Sequence, residues 1–382
     1  MRKVGFIVNP IAGMGGRVGL KGTDGELILR KAIALGAKPI AEDRGARFLR
    51  RFKKLLKAEE REGVLFLTAS GKMGENCLKN VGGFKFSVIE KVGEDTTAQD
   101  TIRTARKLVL ENVEIIVFVG GDGTARDVHS AVDQKVPVIG VPSGVKVYSS
   151  VFGITPEATA ELLKCFLDKA CSTRLAEVVD IDEEAYRQGR LDIRLYGYLK
   201  TPFRPLLLQQ SKESIPLTEE EEENRRAIAR YFVEELMEEN VIYILGPGST
   251  TATIAKELGV EKTLLGVDVL LNGKIILKDA NEKQLLALLS KYGLPAKIVI
   301  SPLGREGFLL GRGNQQISPE VVRKVGLDNI IVIATHQKLK ETPVLFVDTG
   351  DERIDREFLK RKYLKVLTDY NEFTLVKVET LV

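Results

Sequence analysis

The sequence predicts an α/β fold, in which an N-terminal domain with a doubly wound, mostly parallel sheet precedes a β-rich α+β domain. In the first 150 residues, short and nearly continuous apolar runs alternate with longer amphipathic stretches, a pattern typical of parallel sheets covered by helices on both faces. After about residue 175 the apolar runs become shorter, which indicates a second, β-rich domain with a few helices.

Apolar runs bounded by turn residues predict the strands of the N-terminal domain, residues 1–148. These strands are 3–9, 63–69, 84–90, 114–120 and 136–142. Amphipathic stretches between and after them predict helices at 46–61, 96–111, 124–134 and 155–170, with Thr155 as a cap and Pro156 in the first turn. Glycine clusters follow three of the strands, at the edge where ligands of such sheets bind.

The β-rich domain is predicted over residues 149–340, and residues 341–382 are expected to form strands that pack back on the N-terminal domain. Asn272 and Gly273 lie between two apolar runs, a strong hairpin signal. A charged helix is predicted at 218–239, and Thr218 with Glu221 has the spacing of a capping box.

Composition excludes several classes of protein. Lys and Arg exceed Asp and Glu by only 57 to 53 and form no long basic block, so a nucleic-acid partner is not expected. No apolar run approaches a membrane span. Three irregularly spaced cysteines and two histidines argue against a disulfide scaffold, a zinc site and a Ser-His-Asp hydrolase. Reduced thiols and a cytoplasmic location are the expectation.

The segment Gly120-Gly121-Asp122-Gly123-Thr124 carries the chemistry. Glycines let backbone N–H groups approach a ligand closely, and the start of the following helix favours anions, so the turn predicts a phosphate site. An aspartate in such a site is useful if it handles a proton or a metal ion during phosphoryl transfer. The alternative is a plain glycine turn in which Asp122 only caps the helix. The chain contains no P-loop sequence.

Other polar residues lie in glycine-rich frames. Asn9 and Gly13 follow the first strand and either bind phosphate or form an ordinary turn. Thr97 is expected to cap the next helix, with substrate contact as the alternative. The candidate substrate-binding residues are Lys21, Thr23, Asp24, Thr97, Ser143, Lys146, Arg312 and Asn314.

These motifs resemble a known family. The 120–124 segment after a strand is similar to the signature of NAD kinases, diacylglycerol kinases and 6-phosphofructokinases. Further segments resemble ATP-NAD kinase-like proteins of the branch that includes the acetoin-catabolism protein X: residues 9–25, 141–153, 246–259, 266–276 and 301–322. The resemblance implies an N-terminal α/β domain, a C-terminal β-rich domain and a ligand site between them.

The resemblance also implies roles for individual residues. Asp122 falls on the catalytic aspartate of the family. The nucleotide-phosphate positions fall on Gly120, Gly121, Gly123, Thr124, Gly248, Ser249, Thr250 and Thr251. The chain departs from ordinary NAD kinases at 142–146, where Pro-Ser-Gly-Val-Lys replaces an Asn-x-Gly-x-Leu-Gly-Phe stretch. The acceptor substrate is therefore open.

The expected function is transfer of a phosphoryl group from ATP or polyphosphate to a hydroxyl of NAD, giving NADP, with Mg²⁺ bound to ATP and no tightly bound cofactor. Two alternatives remain. One is the same chemistry on an ADP-ribose-like nucleotide, a sugar or a sphingoid lipid, and the other is a non-catalytic nucleotide-binding regulator. The metal ligands are unknown, and family analogy suggests a homo-oligomer.

Overall fold

The computed structural model describes residues 1–16, 18–20, 26–143, 147–181, 193–204, 218–303, 307–311 and 313–380. The chain forms two compact units. Unit 1 comprises Met1–Gly15 and Lys21–Ser211, and unit 2 comprises Gly16–Leu20 and Lys212–Val382.

Unit 1 contains a five-stranded parallel sheet in the order β3-β2-β1-β4-β5. Its strands are β1 (Arg2–Val8), β2 (Val64–Ala69), β3 (Lys85–Glu90), β4 (Ile115–Gly120) and β5 (Val138–Pro142). Along β4, Val117 packs in the core on one face of the sheet, and Ile116 and Phe118 pack in the core on the other. Burial on both faces explains why these strands are nearly continuously apolar, and the predicted parallel sheet is confirmed.

The helices of unit 1 are α1 (Glu26–Ala34), α2 (Ala41–Leu55), α3 (Ala58–Glu62), α4 (Glu75–Val81), α5 (Ala98–Leu110), α6 (Asp122–Val132) and α7 (Pro156–Leu167), with a 3₁₀ turn at Gly71–Met73. Helices α2 and α7 pack in the core on one face of the sheet, and α5 and α6 pack in the core on the other. The Thr155 hydroxyl accepts from Ala158 N at 3.1 Å, so the predicted cap of α7 is confirmed. The helix predicted at 46–61 is instead two helices, because Leu56 is extended and the Glu60 carboxylate accepts from Lys57 N at 2.7 Å at the start of α3.

A long antiparallel hairpin completes the described part of unit 1. Strands β6 (Ser172–Ile181) and β7 (Ile193–Phe203) form a separate two-stranded sheet. Its register shifts between Val178 and Val179. Val178 and Leu199 are buried in the same core as Phe118, so the hairpin covers part of one face of the parallel sheet.

Unit 2 contains a nine-stranded mixed sheet in the order β10-β9-β8-β11-β13-β15-β16-β14-β12. Its strands are β8 (Ile242–Leu245), β9 (Asp268–Leu271), β10 (Lys274–Leu277), β11 (Ala296–Ile300), β12 (Phe308–Leu310), β13 (Ile330–Ile333), β14 (Val344–Val347), β15 (Tyr363–Asp369) and β16 (Glu372–Thr380). The predicted hairpin at Asn272 and Gly273 joins β9 to β10, and both residues have positive φ as the turn requires.

The helices of unit 2 are α8 (Glu219–Tyr231), α9 (Ser249–Glu257), α10 (Glu282–Tyr292), α11 (Pro319–Val325), α12 (His336–Glu341) and α13 (Glu352–Arg361). A π-helical turn at Phe232–Leu236 and a 3₁₀ turn at Leu327–Asn329 accompany them. The predicted cap of α8 is confirmed, since Thr218 accepts from Glu221 N at 3.2 Å. The charged helix ends earlier than the predicted residue 239, because Met237 is extended.

The division between the two units differs in position from the domain limits drawn from the sequence. Residues 149–211, including α7 and the β6–β7 hairpin, cluster with unit 1. Residues 341–382 supply β14, β15 and β16, which pair within the nine-stranded sheet. Within the described ranges, no helix combines the length and apolar character that a membrane crossing requires.

Candidate active site

The glycine turn lies at the carboxyl end of β4. Every residue of β4 is buried, Gly121 is the N-cap, and α6 begins at Asp122 rather than at the predicted Thr124. A Cβ atom on Gly120 would overlap the side chain of Thr124. The turn therefore requires glycine at this position because the Thr124 side chain folds back over it.

Asn9 links this turn to the end of β1. Its Nδ2 donates to Thr124 Oγ1 at 2.9 Å, and its backbone N–H donates to Val119 O at 3.0 Å. The sequence order of the strands changes direction between β1 and β4, and ligands of doubly wound sheets bind at such a switch point. The structure thus brings Asn9 and the glycine turn together where a ligand is expected.

The Asp122 carboxylate is held by backbone N–H groups from the segment after β5. Oδ1 accepts from Ser149 N at 2.7 Å, and Oδ2 accepts from Tyr148 N at 2.8 Å. Asp122 also occupies the first turn of α6, where the helix dipole favours negative charge. Both effects stabilise the charge of the carboxylate and fix its orientation.

Sequence reasoning did not identify Tyr148 and Ser149. The Ser149 hydroxyl accepts from Val179 N at 3.1 Å, so the residue that holds Asp122 is itself attached to β6. Ser150 makes parallel contacts, donating its N–H to Glu177 O and accepting from Glu177 N, both at 2.9 Å. Backbone donors have no residue-type signature, so the sequence offers no signal for this role.

Gly13 and Ser143 bring a third strand end to the same place. Ser143 follows β5 and donates its N–H to Gly120 O at 3.0 Å. Gly13 has φ +79°, and a Cβ atom there would overlap the Ser143 carbonyl oxygen. The ends of β1, β4 and β5 therefore meet as three backbone segments in contact within unit 1.

Thr97 acts as the predicted cap of α5. Asp100 Oδ2 accepts from Thr97 N at 2.8 Å and from Thr97 Oγ1 at 2.9 Å. Burial raises the pKa of the Asp100 carboxyl, but the hydrogen bonds from Thr97 and the nearby Arg103 outweigh it and leave the pKa lowered. Contact between Thr97 and a substrate stays a prediction.

Unit 2 has its own strand–glycine–helix turn, between β8 and α9. Gly248 has φ +121° and donates its N–H to Leu264 O at 2.8 Å, and Thr251 Oγ1 donates to Gly246 O at 2.7 Å. These two predicted ligand residues thus shape the turn. Ser249 is exposed at the first position of α9, where the N–H groups of a helix have no intrahelical partner and attract anions.

Asn314 closes a loop of unit 2. It is fully buried, its Nδ2 donates to Leu309 O at 2.7 Å, and its Oδ1 accepts from Gly311 N at 3.0 Å. Ligand contact by Asn314 stays a prediction. The remaining candidates lie outside the described residues: Lys21, Thr23, Asp24, Lys146 and Arg312. Across the described ranges, no group of three or more His, Cys, Asp or Glu residues has the geometry of a metal site.

Solved structures show only distant likenesses. The substrate-binding protein LivJ of a branched-chain amino acid transporter from Streptococcus pneumoniae is 12% identical over 89% of this chain and 67% of its own, with a TM-score of 0.26. The UDP-GlcNAc 2-epimerase of Neisseria meningitidis is 11% identical over 92% of this chain and 78% of its own, with a TM-score of 0.22. Such low TM-scores bear on neither fold nor function. No curated protein matches the chain.

Family models match both halves of the chain. Residues 4–170 match the ATP-NAD kinase N-terminal domain. Residues 238–378 match the ATP-NAD kinase C-terminal domain. The first match contains the glycine turn with Asp122, and the second contains the turn before α9. The chain therefore belongs to the ATP-NAD kinase family, and these domains support a kinase-type phosphoryl-transfer function.

Proposed function

We propose that the protein transfers a phosphoryl group from ATP, or from polyphosphate, to a hydroxyl of NAD and so forms NADP. One observation carries the proposal: the Asp122 carboxylate lies in a glycine turn at the switch point of the sheet, fixed by two backbone N–H groups. A carboxylate repels phosphate, so its presence in a phosphate-binding turn is explained if it takes part in phosphoryl transfer. Both family matches support the same chemistry.

The phosphate groups of the donor would bind at the start of α6 in unit 1. The N-terminus of α6 follows a glycine turn after a strand, and such helix starts attract anions. In unit 2, the start of α9 by itself has the same character. Mg²⁺ entering with ATP would offset the negative charge of the phosphate groups. Lys146, a predicted substrate-binding residue, lies outside the described residues.

Asp122 would accept the proton of the acceptor hydroxyl or orient that hydroxyl towards the phosphorus atom. Phosphoryl transfer proceeds through a loose transition state in which positioning and charge stabilisation supply most of the catalysis. The two N–H groups on Asp122 restrict its motion. They therefore suit a carboxylate that must hold a hydroxyl in line with the leaving group.

The acceptor is the part of the proposal with a specific alternative. The segment 142–146 differs from the Asn-x-Gly-x-Leu-Gly-Phe stretch that ordinary NAD kinases have at this place. This difference favours, as a second candidate, the same transfer to an ADP-ribose-like nucleotide, a sugar or a sphingoid lipid. A nucleotide-binding regulator without catalysis would bind NAD or ATP and yield no phosphorylated product. We further propose, by analogy with the family, that the protein is a homo-oligomer, and, because its three cysteines are free, that it is cytoplasmic.

The test is an assay of purified protein with Mg²⁺, ATP and NAD, in which NADP is measured with an NADP-specific dehydrogenase. Asp122→Asn should lower kcat by at least a hundredfold, because loss of one catalytic carboxylate typically has an effect of about 10²–10⁴. Asp133→Asn is the matched control, since Asp133 lies at the other end of α6 with φ 45°, a conformation that asparagine also adopts.

Near-normal turnover by Asp122→Asn would exclude the assigned role of this residue. A folded wild-type protein that binds ATP and forms no NADP with either ATP or polyphosphate as donor would exclude NAD as the acceptor. The same assay with labelled ATP and a panel of other acceptors would then identify the second candidate, or show that the protein is a regulator.

A further inference from the structure

The buried hydroxyl of Ser143 makes no hydrogen bond with the described residues of the fold. The residue is fully buried, and its Oγ has no hydrogen-bond partner within the part of the chain that the structure describes. Burying a hydroxyl without a partner is unfavourable, and folded proteins contain few such groups. An unpartnered hydroxyl therefore needs an explanation at the place where it lies.

Other buried hydroxyls of unit 1 show the usual arrangement. Thr68 Oγ1 donates to Phe6 O at 2.8 Å, and Thr104 Oγ1 donates to Asp100 O at 2.7 Å. Each therefore satisfies its own donor within the fold. Ser143 differs from them, and Thr201 on β7 shares its condition, being fully buried with an unpartnered Oγ1.

The backbone of Ser143 is fixed at the centre of the candidate site. Its N–H donates to Gly120 O at 3.0 Å, at the start of the glycine turn, and its carbonyl oxygen lies where a Cβ of Gly13 would be. The unused hydroxyl thus belongs to a residue that joins the ends of β1, β4 and β5. Thr201, by contrast, lies in the separate two-stranded sheet.

We propose that the Ser143 hydroxyl donates a hydrogen bond to a phosphate oxygen of the bound nucleotide. The inference rests on the proposed function for the identity of that nucleotide. Phosphate oxygens only accept hydrogen bonds, and a serine hydroxyl supplies one donor. Ser143 is then a binding residue that adds a side-chain donor to the backbone N–H groups of the turn.

The test compares Ser143→Ala with Thr201→Val by calorimetric titration of Mg²⁺–ATP without an acceptor, and by thermal unfolding. Both variants remove a buried hydroxyl that has no partner, so neither should lower Tm. Ser143→Ala should raise the Kd for ATP about tenfold or more, the size expected for a lost hydrogen bond to a charged group. Thr201→Val should leave Kd unchanged. Ser143→Cys, nearly the same size with a weaker donor, should fall between wild type and Ser143→Ala.

Three results would overturn the inference. They are a Kd of Ser143→Ala within twofold of wild type, an equal weakening by Thr201→Val, and a Tm of Ser143→Ala several degrees below that of wild type. The last would show that the hydroxyl supports the fold. Failure of the proposed function is distinguishable, because a wild-type protein that binds ATP without forming product still allows the comparison of Kd values. A wild-type protein that does not bind ATP would overturn the inference, whereas the proposed function would fall only if polyphosphate also gave no NADP.

Discussion

Thr124 joins two strand ends through one short side chain. Its hydroxyl accepts from Asn9 Nδ2 at 2.9 Å, and its side chain fills the space that a Cβ of Gly120 would occupy. Thr124 is almost fully buried, so its side chain cannot rotate towards solvent to make room for a larger residue at position 120. The glycine at 120 therefore has a steric cause that is separate from any approach of a ligand.

This steric cause predicts the effect of Gly120→Ala. The added methyl group would displace Thr124 and weaken its bond to Asn9, lowering the free energy of unfolding by about 1–3 kcal/mol, as overpacking does. The phosphoryl-transfer activity should fall as well. Gly93→Ala is the control, because no atom lies within 4 Å of a Cβ built there. Urea unfolding measures the stability of the two variants, and an assay of turnover measures their activity. Equal stability and equal activity of Gly120→Ala and Gly93→Ala would contradict the prediction.

At the scale of elements, the sequence predicts the parallel strands of unit 1 well. All five strands of this sheet lie within the predicted ranges or one residue beyond them. Burial on both faces produces long apolar runs, which are the strongest local signal of such a sheet. Strand β15 (Tyr363–Asp369) lies within residues 341–382, where strands are expected, but the sequence does not predict its bounds. Its exposed residues Tyr363 and Lys365 precede a buried run of only three residues, 366–368, so the apolar signal is short.

The candidate site is only partly predictable from the sequence, because some of its contacts come from backbone groups and from residues far apart in the chain. Asp122 and its glycines have a recognisable residue pattern, whereas Tyr148 and Ser149 contribute backbone N–H groups that any residue possesses. The bond between Asn9 and Thr124 depends on β1 and β4 being neighbours. Residues far apart in the sequence meet only once the strand order is known.

The segment that contains Tyr148 and Ser149, whose N–H groups bind Asp122, can be tested with two matched variants. Ser149→Ala removes the acceptor of Val179 N and loosens the residue whose N–H holds Asp122. We expect kcat to fall about tenfold to a hundredfold, since small displacements of a positioned group have effects of this size. The KM for ATP should change little.

Ser150→Ala is the matched control for this test. It removes a similar bond, from Glu177 N at 2.9 Å, but the Ser150 N–H donates to Glu177 rather than to Asp122. Both variants should lose similar stability by urea unfolding, while only Ser149→Ala should lose turnover. Equal losses of kcat would show that the segment acts through general stability instead.

The cap of α5 predicts a pH dependence of stability. The pKa of Asp100 is lowered in the folded protein from its usual value of 3.8, so its contribution is complete at neutral pH and is lost as the pH falls through the folded pKa. Asp100→Asn should therefore be less stable than wild type by about 1 kcal/mol at pH 7. Urea unfolding should show this difference shrinking below about pH 4. If the stability difference between wild type and Asp100→Asn grew as the pH fell, the pKa of Asp100 would be raised in the folded protein rather than lowered.

At the scale of the whole molecule, the two units share one structural device. In each, a buried strand ends in a glycine turn and a helix begins directly after it: β4 with α6 in unit 1, and β8 with α9 in unit 2. Strand β4 has parallel neighbours, whereas β8 is parallel to β11 and antiparallel to β9. Each unit also has its own hydrophobic core. Each helix start by itself suits a phosphate group, so recognition of a nucleotide should depend on its phosphates more than on its base.

This reasoning predicts how nucleotides stabilise the protein. A ligand that binds only the folded state at a free concentration of 100 times its Kd adds about 2.7 kcal/mol to the free energy of unfolding. At equal concentrations with Mg²⁺, ATP should raise Tm most, ADP less and AMP least, because each step removes a phosphate group that a helix start can bind. Thermal unfolding monitored by circular dichroism measures the series, with adenosine as the phosphate-free control. If AMP or adenosine raises Tm as much as ATP does, binding depends on the nucleoside, and the two glycine turns are not the phosphate sites.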